Sequence, residues 1–148
     1  MNDQVLIQAN VQEVPGLQQI YIATRHWLDD MLFFDDEAKF LNILLEKYFA
    51  ASLHQEHVSR IQLINEHLKR VCIHKQIIKD EILTHQANLD KTLKNNIEKR
   101  EDFLFLEHER LEEEIKDLNR RFKGVKNDIF QITELLLINE KLESGSNR

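Results

Sequence analysis

The sequence predicts an all-α fold, an elongated up-down-up three-helix bundle with coiled-coil-like heptad seams. Three observations carry this. First, turn material is scarce: 148 residues contain 3 glycines and 1 proline, far below the roughly 12% usual for the pair. A long chain with few turns has few, long elements. Second, Leu104, His108, Leu111, Ile115, Leu118, Phe122, Val125, Ile129, Ile132, Leu136 and Asn139 step four and three without a slip. That is the spacing of a helix laid lengthwise against others. Third, Leu, Ile, Glu, Lys, Gln and Asn dominate, and β-branched residues are mostly Ile at seam positions, a helical composition.

In chain order, residues 1–16 have weak periodicity and form an arm or short helix ahead of the bundle. Val5, Leu6 and Ile7 are its apolar part. Val14-Pro15-Gly16 reads as a turn or helix entry. The bundle domain spans 17–142. Its first helix carries Leu17, Ile20, Thr24, Trp27, Met31, Phe34, Ala38, Leu41, Leu45 and Tyr48 at the same three–four spacing. Asp35-Asp36-Glu37 has the look of an N-cap cluster. The seam passes through it in phase, so one continuous helix is expected. Phe33, Phe40 and Leu44 form a second ridge that widens the apolar face beyond what a two-stranded pair needs.

The first turn is placed near Ala51-Ser52, because continuing the seam meets only Ser52, Gln55, Ser59 and Gln62. Ser52-Leu53-His54-Gln55 also fits a capping box. The second helix reads His57, Ile61, Ile64, Leu68, Val71, Lys75, Ile78, Ile82, His85 and Leu89. Its seam is the most polar of the three. Beyond Leu89 the apolar residues, Leu93 and Ile97, slip by one place, as a turn or a stutter would make them. Asn95-Asn96 followed by Glu98 favours a turn.

The third helix is expected from about Ile97 to Leu142, with a frayed polar tail over 143–148. Gly124 lies beside its seam; a helix glycine costs about 1 kcal/mol, so a close backbone approach or a bend is expected there. Charge pairs such as Glu66/Arg70, Glu112/Lys116 and Asp117/Arg121 mark wet faces.

Function is less legible. The net charge is −6, whereas a nucleic-acid binder usually has a basic surplus, and an anionic membrane repels an acidic protein. Cys72 is the single cysteine, so no internal disulfide is available and a reducing compartment is expected. The N-terminus lacks the pattern of a secretory signal. The uncharged run Leu135–Asn139 is far below the ~20 residues of a membrane span. A cytoplasmic protein is expected. There is no glycine-rich phosphate loop, G-x-S-x-G or H-E-x-x-H, so no enzyme and no cofactor is expected.

Seven histidines raise the question of metal. Glu-x-x-His, the motif of di-metal bundles, does not occur. With a turn near residue 95, facing positions on the second and third helices sum to about 191. His85 then lies within about one turn of His108, with Glu81 and Glu107 close by. These four are the metal candidates. By the same register His74 faces Asp117, with Asp29 and Asp30 at the matching level. The competing reading is that seam histidines fix register, as buried polar residues do in coiled coils. Arg120, Arg121, Lys123 and Lys126 form the densest basic stretch, joined by Lys91, Lys94, Lys99 and Arg100 elsewhere, and a nucleic-acid reading, kept as an alternative, would use it as a phosphate footprint. Cys72 reads as a small core hydrophobe, and Trp27 and Tyr48 as core aromatics.

Apolar residues exceed what the seams use. Leu135, Leu136, Leu137 and Ile138 nearly encircle the third helix; Phe103, Leu104, Phe105 and Leu106 do so near its start, and Phe33, Phe40 and Phe49 add to the first. Surplus of this kind marks an interface. Phe33, Phe40, Phe103, Phe105, Leu135, Leu137 and Ile138 are the candidate interaction face. The expected partner is a second copy in a homodimer, most simply antiparallel, or another helical protein.

Overall fold

The computed structural model describes residues 16–51, 55–95 and 101–146. Three helices make up the fold: α1 Leu17–Ala51, α2 Gln55–Asn95 and α3 Glu101–Ser146. They pack as a three-helix bundle, with no strand among the described residues. The arm at 1–15, Ser52 of the capping box and Ile97 lie outside the described residues.

α1 begins where the backbone N–H of Ile20 donates to the Gly16 carbonyl at 3.1 Å, so Gly16 stands at the helix entry, while Pro15 lies outside the described residues. It then runs unbroken through Asp35-Asp36-Glu37. Those acids do not cap a new helix because Phe34, Ala38 and Leu41 around them are buried in phase. One helix ends at Asn95 and the next begins at Glu101; residues 96–100, where the turn is expected, lie outside the described residues. α3 extends to Ser146, past the expected end at Leu142. Nothing from Lys141 onward forbids helix, and Gly145 alone does not stop one.

Packing divides the chain into two compact units, 1–31 with 77–114 and 32–76 with 115–148. Each draws on all three helices. In the first unit Ile20, Leu89 and Leu104 form a buried cluster that Leu17, Tyr21 and Phe105 flank. In the second, Phe34 stacks on Phe122 with ring centroids 4.0 Å apart, and Leu41, Leu45, Ile61, Leu68, Leu118 and Ile129 are buried.

Burial follows the heptad series, and two of its buried positions carry hydroxyls. Thr24 and Thr92 are buried among apolar residues. Each hydroxyl donates to a carbonyl one turn back, Thr24 to Ile20 at 2.8 Å and Thr92 to Asn88 at 2.9 Å. The second corrects the expected slip: the inward position is Thr92, and Leu93 points outward. A hydroxyl satisfied within its own helix can occupy a core site that the sequence pattern assigns to a hydrocarbon.

Gly124 is also corrected. It is exposed, and a Cβ built on it meets nothing within 4 Å. No close approach requires it. Gly124→Ala is therefore expected to raise stability by about 1 kcal/mol, read as a higher urea midpoint with an unchanged slope.

Candidate functional site

The most polar part of the buried surface belongs to the first unit. α2 supplies His85, which is 1% exposed, and α3 supplies His108. Nε2 of His85 lies 3.2 Å from Nδ1 of His108. Trp27 of α1 stacks on the His108 ring, centroids 4.2 Å apart and planes 17° from parallel. The expected approach of the two histidines is thus met. The register explains it: Arg110 reaches Glu81 across the same helix pair at 2.6 Å.

One imidazole must donate and the other accept. Nδ1 of His85 is buried without a partner among the described residues. If His85 donates from Nε2, that nitrogen is left as a bare lone pair. The other tautomer would bury an unpaired N–H, the costlier arrangement. We therefore assign the proton to Nε2 of His85. Burial, and then the neighbouring His108, push the His85 pKa down from 6.5 to about 4. His108 is also lowered, chiefly by burial, while Glu112 and Glu109 oppose the shift. Both rings are neutral at pH 7.

Glu81 and Glu107 do not join the histidines. Arg110 takes both: Nη2 donates to Glu81 and to Glu107 at 2.6 Å, and Nε donates to Glu107 at 3.1 Å. That pairing holds the Glu107 carboxyl below its ordinary value. A metal needs three or four converging ligands. Among the described residues no group of three or more His, Cys, Asp or Glu side chains converges to hold one. Two of the four candidates meet each other, and the other two meet an arginine that the sequence reading overlooked. The signal for it was present, since Glu107 and Arg110 are three apart on one helix.

His74 pairs with Arg121, one turn beyond Asp117, rather than with Asp117 itself. Its Nδ1 accepts from Nη1 of Arg121 at 2.8 Å, while Asp117 pairs with Arg120 at 3.5 Å. Lys126 donates to Glu37 at 2.9 Å and lies 4.9 Å from the Phe122 ring centroid. Two of the four cations in the basic stretch thus pair with carboxylates of the bundle, while Arg121 keeps its charge beside an imidazole. This weakens the phosphate-footprint reading.

Lys75 is the other polar seam residue. Its ammonium contacts the Asp35 carboxylate at 2.5 Å, with side chains 7% and 34% exposed. It also donates to Gln76 at 3.3 Å. Cys72 lies nearby, half-buried rather than buried. It lines a groove of about 550 Å³ with Asp35, Ala38, Leu68 and Ile73. Burial raises the thiol pKa; Lys75 lowers it and Asp35 raises it. The group is a thiol at neutral pH, a poor nucleophile.

The outer faces carry large apolar residues among charged ones. Phe33, Phe40, Phe103, Leu137 and Ile138 are exposed. Phe105 and Leu135 are half-buried, and Phe105 packs against the Ile20–Leu89–Leu104 cluster. Phe33 and Phe40 do not widen the core face of α1. At 100° per residue they lie on the far side of the helix from the seam. Leu32 and Ile43, which the sequence reading passed over, are exposed too. Among the described residues no helix is long and apolar enough to cross a membrane. Compared with protein-family models, with curated proteins and with solved structures, the chain matches none.

Proposed function

We propose that this chain is a non-enzymatic interaction protein, a helical scaffold or adaptor that self-associates through its outer apolar faces. One observation carries the reading. Phe33 is 73% exposed, Phe40 58% and Ile43 64%, on a helix whose opposite side already fills the core. A monomer has no use for two apolar faces on one helix, and contiguous exposed apolar surface marks association. The interior polar groups support the same reading. His85, His108 and Lys75 are engaged with neighbours rather than aimed at a common point where a substrate would sit.

Leu137→Glu tests the α3 part of the face. The side chain is 42% exposed, so the helix tolerates a carboxylate. Light scattering should give a lower mass than wild type at equal concentration, while circular dichroism keeps its helical signal. An unchanged mass would remove this end of α3 from the interface.

A further inference from the structure

We infer that a second copy of this chain docks antiparallel on the outer face of α1, in the register that sets Asp36 against Lys47 of its partner. This rests on the self-association reading and says how the α1 part of the apolar surface is aligned. Phe33, Asp36, Phe40, Ile43, Lys47 and Ala50 step three, four, three, four, three. They form a second heptad seam, and all six are exposed. Two such seams pair antiparallel by layering the first position of one heptad on the fourth of the other.

The register above brings Phe40 onto Ile43 of the other protomer twice, about the two-fold axis. Phe33 then meets Ala50, a large side chain against a small one. Asp36 meets Lys47 at both ends. The flanking positions agree, since Lys39 faces Glu46 across one edge. Within their own protomer Asp36, Lys39 and Glu46 have no ion pair among the described residues. A parallel pair would instead stack Asp36 on Asp36 and Lys47 on Lys47, which like-charge repulsion disfavours.

The area is adequate. With about 200 Å² for a fully exposed large apolar side chain, the fractional exposures of Leu32, Phe33, Phe40 and Ile43 offer roughly 500 Å² per protomer. The pair buries about 1,000 Å², the lower bound of a specific interface. A reversible dimer is expected rather than an obligate one.

Charge reversal tests the register with the full chain. Sedimentation equilibrium is measured for wild type, Asp36→Lys, Lys47→Asp, their equimolar mixture and the double variant. Each single reversal sets like charges together at two symmetry-related sites and should weaken dimerisation about tenfold or more. The mixture and the double variant restore opposite charges at both sites and should recover wild-type affinity. Helicity by circular dichroism should be equal throughout, because the substituted residues are exposed. A wild type that stays monomeric at every concentration overturns both the register and self-association itself. A dimer indifferent to the single reversals overturns the α1 surface and leaves self-association standing. Weakened singles without recovery on mixing overturn the antiparallel pairing.

Discussion

Lowering the pH from 7 to 4 is expected to cost the fold about 3 kcal/mol through His85 alone. Its pKa falls from 6.5 to about 4 in the folded state. As pH drops below 6.5 the unfolded chain takes up a proton that the folded chain refuses. The stability associated with neutral His85 is therefore full above 6.5 and declines until about 4, where both states are protonated. Each unit of that interval is worth about 1.4 kcal/mol. The cause is physical: a ring 1% exposed that shares its contact nitrogen with a second neutral ring has no room for a cation. His85→Leu keeps an apolar side chain at the seam and removes the titration. Urea midpoints between pH 7 and 4 should fall steeply for wild type and by about 3 kcal/mol less for the variant. A variant as acid-sensitive as wild type would place the titration elsewhere. The depressed carboxyl of Glu107 acts lower down. Its contribution is present above its ordinary 4.5 and lost as pH falls below that value, so it does not mask the upper part of the window.

The second large effect is an asymmetry between the two ends of one ion pair. Asp35→Ala leaves the Lys75 ammonium buried with only a 3.3 Å contact to Gln76. Removing one partner of a fully buried pair costs 3–5 kcal/mol. Asp35 is a third exposed, so about 2 kcal/mol is expected. Lys75→Met removes the charge instead and keeps the stem. The remaining carboxylate turns to water, and stability should change by less than about 1 kcal/mol. Denaturant midpoints of the two single variants settle this. Equal losses would mean that the attraction itself, rather than the orphaned ammonium, dominates the pair.

Much of this architecture was legible in the residues. The seams of Leu41, Ile82 and Leu118 are fixed by spacing alone, because only a 3.6-residue period puts them on one side. The continuity of α1 through three acids followed from phase. So did the meeting of His85 with His108, since an antiparallel hairpin leaves little freedom of register. What the sequence hid were choices made by side chains with more than one option. Arg110 is long enough to collect Glu81 and Glu107, and Arg121 to bypass Asp117 for His74. Thr92 shelters its hydroxyl on its own helix and displaces Leu93. Phe33 and Phe40 are ambiguous for a different reason: an apolar residue beside a seam reads as a widening of it until the angle around the helix is known.

The polar residues of the seams fall into two kinds, and this bears on how such a chain can change. Thr24 and Thr92 satisfy themselves with a carbonyl of their own helix. Either can give way to valine or alanine in a single step, with no answering change elsewhere. Lys75 and His85 draw on a named partner on another helix, Asp35 and His108. Each belongs to a pair that drifts together or stays fixed. In double-mutant cycles, changes at 24 or 92 should add to changes elsewhere, while 35 with 75 and 85 with 108 should show coupling.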